Sequence, residues 1–296
     1  MFDLDAMQQV MAAAGTPTPS NEDVPLVKAI GRVLADALPP LQRHGALPAG
    51  LRLHSRHMPR LAATGSPTVR VFQKLRVGVL TLCDAREREP AAPDLVGPML
   101  ASLLDDIGAM PIVAPRVSSN EKQLRPVLDM LLRACDLVLI AGASHSPREA
   151  ELCSALEARG ARLTHWPLCD ELGATMGLAA WNDKVVVCLP CAVAPAFMLF
   201  TLLLSPLIRR LQGRSDLLPP SHTALLHAPR EIASAGPRFL WARETGQRSA
   251  LCTESIASTD PLAALALSDG IARHGSVSLA AHDIEAQYYP FSDWLR

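Results

Sequence analysis

Apolar runs and helical repeats alternate through the middle of the chain. Four runs are continuously apolar, as in strands buried on both faces, and they cover residues 75–82, 110–114, 136–142 and 184–190. Residues 162–166 predict a shorter strand. Apolar residues at helical spacing predict the intervening helices, which cover residues 95–107, 118–133, 147–159 and 194–211. This alternation predicts right-handed βαβ units, so residues 75–213 are interpreted as a three-layer α/β domain with a parallel sheet.

The N-terminal part of the chain follows a different pattern. Residues 3–14 predict a helix with four apolar residues on one face, Leu4, Met7, Val10 and Met11. Pro25 is predicted to open a second helix, in which the inward residues are Leu26, Ile30, Val33 and Leu34. Residues 41–68 are loop-like and locally basic, with helical propensity near 57–63. Residues 1–74 are therefore interpreted as a shortened N-terminal lobe with a helical segment.

Beyond residue 213 the pattern becomes that of a small β-rich domain. Short alternating segments predict strands, which cover residues 238–243, 249–254, 276–281 and 285–291. One helix is predicted between them, over 260–267. Residues 214–296 are accordingly interpreted as a C-terminal β domain.

Composition and charge narrow the class of protein. Of the 296 residues, 49% are hydrophobic and 19% are charged, which is enough to bury a full core. The net charge of −1 gives no basic excess, so the sequence predicts no nucleic-acid partner. The longest apolar run is interrupted by Ser205-Pro206 and the N-terminus lacks a cationic leader, so neither a membrane span nor a signal peptide is predicted. The seven scattered cysteines indicate reduced thiols and a cytoplasmic location.

Candidate chemistry is expected where the predicted strands end. In open α/β sheets, ligands bind beyond the carboxyl ends of the strands. Four turns qualify, and they contain Cys83-Asp84, Gly142-Ala143-Ser144-His145, Cys169-Asp170-Glu171 and Pro190-Cys191-Ala192. Asp84 could act as a metal ligand or general base, or it could cap a helix. Ser144 and His145 could form a nucleophile–base pair, although neighbours in a chain rarely point at each other.

Two thiols form a single C-x-x-C motif, Cys188-Leu189-Pro190-Cys191. A redox pair of this type starts a helix, whereas here the first cysteine falls inside a predicted strand. A redox or metal role and a purely structural role for these thiols both remain open.

Several segments resemble the molybdopterin molybdenumtransferase family, which comprises MoeA and the E domain of gephyrin. VPLVKAIGRVLADAL (24–38) resembles the family's opening GRVLA segment, and KLRVGVLTLCD (74–84) resembles the start of its central domain. DLVLIAGAS (136–144) resembles DLVLTSGGVS, and VVVCLPCAVAPAF (185–197) resembles the segment that contains LPGNPVSA. STDPLAALALSDGIARH (258–274) resembles the C-terminal β domain. The segments are colinear along essentially the whole chain.

The resemblance implies a ligand site and partners. Family members bind molybdopterin in its adenylylated form at the strand carboxyl ends and insert molybdate with a divalent ion such as Mg²⁺. The positions that correspond to this site are Cys83, Asp84, Asp94, Gly142, Ala143, Ser144, His145, Asp170, Pro190 and Cys191. Asp84 and Asp94 would be the metal ligands, with Asp84 the best catalytic candidate. The resemblance also implies a homodimer, and partners among the proteins of the molybdopterin pathway or the molybdoenzymes.

The sequence departs from the family at the polar positions of the site. The family's TGDE is Leu82-Cys83-Asp84-Ala85, and its KPGKP is Cys169-Asp170-Glu171-Leu172-Gly173, which replaces two lysines and adds two acids. The DNSAMDG segment and the inserted second domain that it introduces are missing. These changes favour degraded or lost transferase activity, or a non-catalytic dimeric interaction, chaperone or regulatory protein. A third hypothesis is a thiol-based metal carrier that uses Cys83, Cys188 and Cys191.

Overall fold

The computed structural model describes most of the chain. The described residues are 4–13, 19–40, 45–83, 93–118, 120–142, 147–158, 160–169, 174–181, 184–227, 238–245, 252–255, 260–275 and 283–294. The helices are α1 (Leu4–Ala13), α2 (Met58–Ala62), α3 (Val96–Asp106), α4 (Glu121–Ala134), α5 (Pro147–Glu157), α6 (Val193–Leu211), α7 (Pro261–Ala266) and α8 (Phe291–Trp294). The strands of the first two sheets are β1 (Asn21–Pro25), β2 (Thr68–Phe72), β3 (Arg76–Cys83), β4 (Met110–Val113), β5 (Val117–Ser118), β6 (Leu137–Ala141), β7 (Leu163–Cys169), β8 (Ala174–Trp181) and β9 (Lys184–Leu189). The C-terminal strands are β10 (His222–His227), β11 (Arg238–Thr245), β12 (Cys252–Ser255), β13 (Gly270–His274) and β14 (Asp283–Pro290).

The central sheet confirms the predicted α/β class and corrects one detail of it. Its strand order is β4-β3-β6-β9-β8-β7, and β5 pairs with β3. The strands β4, β3, β6 and β9 are parallel, as predicted. The interiors of β3, β6 and β9 are apolar because helices cover both faces, whereas β4 lies at the sheet edge with Met110 and Val113 exposed. The strands β8 and β7 extend the sheet as an antiparallel hairpin. Sequence reading predicted β7 but not β8, whose residues are mostly small or have weak strand propensity.

The predicted second helix is wrong. Residues 21–25 form strand β1, which pairs antiparallel with β2. Only one short 3₁₀ turn, Leu26–Lys28, follows it, with Val27 81% exposed and Ile30 40% exposed. Val33 and Leu34 are buried, but as extended residues that form bridges to Arg52 and Val71. Pairing with a strand more than forty residues away therefore overrides the local helical spacing.

Helix α1 is confirmed and packs inside its own chain. Three of its four predicted inward residues, Leu4, Met7 and Met11, are buried in the same cluster as α6. The prediction is wrong for Val10, which is 46% exposed because it lies off the face that packs against α6. Pro206 of α6 has no N–H to donate to the carbonyl of Leu202, and Gln8 Nε2 donates to this carbonyl at 2.9 Å. The buried residues of α1 therefore have their partners within the same chain, and the homodimer implied by the family resemblance stays a prediction.

Helix α6 is the one described helix whose length and composition would allow it to cross a membrane. In its most apolar window, 89% of the residues are buried inside the protein. Its π-helical middle, Phe200–Leu204, is fully buried between α1 and the sheet. A helix enclosed in this way is the core helix of a folded domain, because its apolar surface already has protein partners.

The C-terminal residues form a closed five-stranded barrel in the order β10-β12-β11-β13-β14. Strand β12 covers Cys252–Ser255, while residues 249–251 of one predicted strand and all of the strand predicted at 276–281 lie outside the described residues. Sequence reading missed β10 and β13. Three aromatic rings join the barrel to α6, with centroid distances of 6.3 Å for Phe197–Trp241 and 5.1 Å for Phe197–Phe291.

The segments before residue 40 and after residue 45 lie close together. Leu38 and Leu47 exchange backbone hydrogen bonds of 2.8 and 3.1 Å. Both segments contribute to one small cluster that includes Val71 and Leu53. Strands β1 and β2 contribute to this cluster, and the shortening of the N-terminal lobe stays a prediction.

Candidate functional site

The strands that lead into the four predicted turns end at one edge of the central sheet. Thr81, Ala141 and Leu189 lie side by side near the carboxyl ends of β3, β6 and β9. Strand β7 is antiparallel to β8, which is antiparallel to β9, so β7 also ends at this edge. We call this region the carboxyl edge, and it comprises residues 81–83, 93–97, 142 and 190–193 in the described part of the chain.

The structure describes half of the residues nominated from the sequence. Asp84, Ala143, Ser144, His145 and Asp170 lie outside the described residues. The other five nominated residues are described, and they are Cys83, Asp94, Gly142, Pro190 and Cys191.

Asp94 caps a helix at this edge. Its Oδ1 accepts hydrogen bonds from the backbone N–H groups of Val96 and Gly97, at 3.1 and 3.0 Å. These donors belong to the first turn of α3, which otherwise leaves its N–H groups without partners in the helix. A carboxylate also suits the positive end of the helix dipole. Asp94 therefore has a structural role that the sequence comparison did not foresee.

Thr81 is a polar residue of the edge that the sequence analysis missed. A Cβ at Gly97 would lie 2.9 Å from Thr81 Oγ1 and 2.5 Å from Asp94 Oδ2. The hydroxyl, the carboxylate and the start of α3 therefore lie against one another, and only glycine fits between them. Thr81 is the one hydroxyl residue in the run 75–82. Its position near the end of this run is the signal by which the sequence could have indicated a polar residue at the edge.

Gly142 ends strand β6 in a conformation that favours glycine. Its φ is 90°, and its N–H donates to the carbonyl of Leu189 at 2.9 Å. The turn brings the end of β6 against the end of β9. It also directs the chain into residues 143–146, where three of the nominated residues lie.

The C-x-x-C motif is divided between the core and the surface. Cys188 is 1% exposed, whereas Cys191 is exposed at the start of the turn into α6. Helix α6 begins after Ala192, which has no side chain able to cap it. Pro190 is buried and Cys83 is half-buried. The two thiols of the motif therefore face different environments, unlike a redox pair that shares one helix start.

The described part of the carboxyl edge contains little charge. Its segments hold no lysine or arginine, and Asp94 is their one carboxylate. Within the described residues, no group of three or more His, Cys, Asp or Glu side chains is arranged to hold a metal ion. These residues alone therefore do not form a Mg²⁺ site, and they lend no support to the thiol-based carrier.

A mostly parallel sheet between helical layers, with ligand-type turns at its carboxyl edge and a small barrel appended, defines a class of multidomain α/β protein. Solved structures of this class include a MoeA molybdopterin biosynthesis protein from Pyrococcus horikoshii. It has a TM-score of 0.71 and 16% identity, and the match covers 98% of this chain and 99% of that chain. A molybdenum cofactor biosynthesis protein from Pyrococcus furiosus has a TM-score of 0.66 and 19% identity, covering 98% of this chain and 100% of that chain.

A second MoeA structure from Pyrococcus horikoshii OT3 has a TM-score of 0.68 and 13% identity, again with 98% of this chain and 100% of that chain covered. A scan against protein-family models found no match, and a search of curated proteins found none either. At these identities the likeness concerns the fold. The chain has the MoeA fold, which confirms the predicted resemblance at that level.

Proposed function

We propose that this chain binds molybdopterin or its adenylylated form at the carboxyl edge, and that it acts in the biosynthesis or maturation of the molybdenum cofactor. The observation that carries the proposal is the likeness to MoeA over 98% of the chain. Sequence resemblance and fold nominate the same edge, and a cytoplasmic location and a homodimer belong to the same proposal.

The described backbone of the edge is compatible with an anionic ligand. Helix α6 begins there without a side-chain cap, so its first N–H groups are oriented toward the edge. The positive end of a helix dipole attracts phosphate groups, and the small residues Gly142 and Ala192 let a ligand approach the backbone. The expected roles of these residues are to bind and orient the ligand, not to react with it.

We further propose that the transferase reaction is reduced or lost. Asp94, one of the two expected metal ligands, already accepts two backbone hydrogen bonds as the cap of α3. The two lysine positions of the resembled family are Cys169 and Leu172 here, and Asp170 and Glu171 add two acids between them. This loss of positive charge and gain of negative charge opposes a phosphorylated anion. The described residues do not form a site for Mg²⁺, so the proposal assigns them no step that depends on this ion.

The same observation on Asp94 favours one alternative, which is a non-catalytic interaction, chaperone or regulatory protein. In that case the scaffold would contact molybdopterin-pathway proteins or molybdoenzymes without carrying the ligand. The two functions differ in whether the isolated protein binds molybdopterin.

Anaerobic titration calorimetry with molybdopterin and its adenylylated form tests the binding proposal. We expect binding at micromolar protein, weakened about tenfold or more by Cys191→Trp, because a large side chain at this exposed position would fill the edge. Met110→Trp is the matched control, since Met110 is exposed at the opposite end of the sheet. Absence of binding to the unmodified protein would overturn the proposal and leave the non-catalytic alternative.

Catalysis is tested separately in a transferase-deficient strain. We expect that this chain does not restore molybdoenzyme activity, because of the replacements at the site. Full restoration at matched expression would show that the transferase reaction persists, and would contradict the proposed loss without affecting the binding result.

A further inference from the structure

Four arginines line a cleft of about 590 Å³ at the end of the sheet opposite to the carboxyl edge. They are Arg52 and Arg56 from the N-terminal lobe and Arg209 and Arg214 from the C-terminal end of α6. Among the described residues that line it, Asp216 is the one carboxylate. We call it the arginine cleft. Its volume lies within the range of roughly 300–1,000 Å³ that is usual for sites of small ligands.

The fold requires the arginines to lie together. Gly213 ends α6 with a φ of 76°, and the N–H groups of Gly213 and Arg214 donate to the carbonyls of Arg210 and Arg209 at 3.0 Å. This helix ending places Arg214 directly beneath the last turn. Ser215 then donates its N–H to the carbonyl of Gly50 at 3.0 Å, which fixes the segment that carries Arg52 against the same helix end.

Two of the arginines are buried in the cleft with donors that lack acceptors. The Arg214 side chain is 3% exposed, and its Nη1 has no hydrogen-bond partner among the described residues. Arg52 donates from Nη2 to the carbonyl of Asp106 at 2.7 Å, while its Nε and Nη1 are buried and lack acceptors in the described part of the chain. A buried guanidinium donor without an acceptor is costly, so an anion in the cleft would stabilise the arrangement.

Charge in the cleft is unbalanced. Arg214 Nε donates to Asp216 at 2.8 Å, and Arg209 Nη1 lies 4.0 Å from the same carboxylate. Burial, followed by the charge of Arg214, lowers the pKa of Arg52, and the same two causes lower the pKa of Arg209 to about 10. Burial and then the charges of Arg52 and Arg56 also lower the pKa of His54, which adjoins the cleft. Among the described residues, Asp216 therefore acts on Arg209 and Arg214. Asp216 and Asp106 both raise the pKa of Arg52, but burial and the charge of Arg214 have the larger, opposite effect.

A second cleft differs in how its arginines are paired. It has a volume of about 540 Å³, and its charged lining residues are Arg32, Lys74, Arg76, Glu22 and Asp136. Here each arginine has its own acid, since Arg32 pairs with Glu22 and Arg76 Nη2 lies 2.8 Å from Asp136 Oδ1. Hydrogen bonding to Asp136 raises the pKa of Arg76, which is the opposite of the shift at Arg52.

We infer that the arginine cleft binds a small phosphorylated molecule, whose phosphate oxygens accept hydrogen bonds from Arg52 and Arg214. Guanidinium groups suit phosphate because their planar donors match its oxygens in pairs. A ligand with two or three negative charges would balance four arginines against one aspartate. At the cleft wall, the half-buried Leu51 and the exposed Leu218 would contact the less polar part of the molecule.

The test is titration calorimetry of the full chain with inorganic phosphate and with pyrophosphate. We expect both to bind, pyrophosphate more tightly, because it offers more charge to the same donors. Arg52→Gln should weaken binding about tenfold or more, since a charge-assisted hydrogen bond is lost. Arg76→Gln is the matched control, which removes an arginine from the second cleft and should change affinity less than twofold.

Arg56→Gln provides a second variant that does not depend on a buried residue. Arg56 lines the cleft but is exposed, so the fold tolerates its loss, and a two- to fivefold weakening is expected. No pyrophosphate binding at millimolar concentration would overturn the inference, as would equal effects of Arg52→Gln and Arg76→Gln. Binding of a single-stranded RNA without binding of pyrophosphate would also overturn it. Cys191→Trp should leave pyrophosphate binding unchanged, so this result and the molybdopterin result can fail independently.

Discussion

The two ends of the central sheet present opposite surfaces. The described carboxyl edge contains glycine, a buried hydroxyl, two thiols and one carboxylate that caps a helix. The other end holds buried arginines that share Asp216. Fold likeness nominates the first end for ligand binding, while hydrogen bonding and charge nominate the second. Similarity of fold therefore predicts a site at the position where related structures have one. Buried charges that lack partners predict a site that the fold alone does not imply.

The largest effect that separates the two ends should come from Gly213→Ala. A Cβ there would lie 2.6 Å from Cε2 of the Phe72 ring, and the φ of 76° is already unfavourable for alanine. We expect a loss of about 3 kcal/mol in the free energy of unfolding, together with loss of phosphate binding at the arginine cleft. Chemical denaturation provides the measurement.

Gly65→Ala is the matched control for this change. Gly65 has a similar φ of 74°, with nothing within 4 Å of the added Cβ. It should cost about 1 kcal/mol, the backbone contribution alone. Equal losses for the two variants would show that contact with Phe72 does not fix the helix end.

Asp94→Ala tests the structural role at the carboxyl edge. Loss of the cap of α3 should lower the free energy of unfolding by about 1 kcal/mol in the absence of ligand. Asp260→Ala, which removes the 3.0 Å cap contact to Leu262 at α7, should have a comparable effect. If Asp94→Ala leaves stability unchanged while molybdopterin binding falls, the carboxylate is a ligand residue and not a cap.

Asp216→Asn tests the opposite end through pH. Burial alone would raise the pKa of Asp216, but hydrogen bonds and charge from Arg214, with charge from Arg209, bring it below its ordinary value. A lowered carboxyl pKa stabilises the fold above the unfolded value near 4, and this contribution is lost as the pH falls through the folded pKa. At pH 7, we expect the free energy of unfolding of the unmodified protein to exceed that of the variant by roughly 1 kcal/mol. The difference is this small because Asp216 is partly exposed, so that solvent screens its charge.

The difference should vanish near pH 2, where both forms lack the carboxylate charge. Asp23→Asn is the control, because the 3.4 Å pair of Asp23 with Arg70 is more than half exposed on both sides. It should change stability by less than about 0.5 kcal/mol at pH 7. A difference for Asp216→Asn that persists unchanged at pH 2 would contradict an electrostatic origin.

The smallest effect on stability concerns Cys191. A thiol reagent should modify Cys191 much faster than Cys188, because Cys191 is exposed and Cys188 is 1% exposed. Peptide mass spectrometry measures both rates. Cys191→Ser should change the free energy of unfolding by less than about 0.5 kcal/mol. Molybdopterin should slow the modification of Cys191, and pyrophosphate should not. Equal protection by both ligands would show that they bind at the same site, and would contradict the proposal of two separate sites.

Elements with a strong local pattern could be predicted from the sequence. The runs at β3, β6 and β9 and the repeats of α1, α3, α4 and α6 specify buried strands and helices without knowledge of their neighbours. Strands β1, β8, β10 and β13 could not be predicted, because they depend on partners distant in the chain or carry small residues. Met176 and Gly177, for example, form a strand between β7 and β9 where local propensity alone is weak.

The candidate sites differ in the same way. The carboxyl edge followed from strand order alone, since parallel strands end together. The cap at Asp94 depends on the exact turn before α3, and the arginine cleft depends on three segments that meet only in the folded chain. Arg52 lies in the basic stretch of residues 41–68, but nothing in the sequence indicates that it lies close to Arg214 in the folded chain.

The contact between Gln8 and Leu202 has a consequence for synthesis of the protein. The two residues are 194 positions apart, and Arg273 reaches Asp5 over 268 positions. At translation rates of roughly 5–20 residues per second, helix α1 leaves the ribosome about 10–40 s before Leu202 is made. Its apolar face must remain without its docking surface throughout that time. Helix α1 is therefore synthesised early but packs against its partners late. Until then Leu4, Met7 and Met11 stay exposed on the nascent chain, where chaperones can bind them.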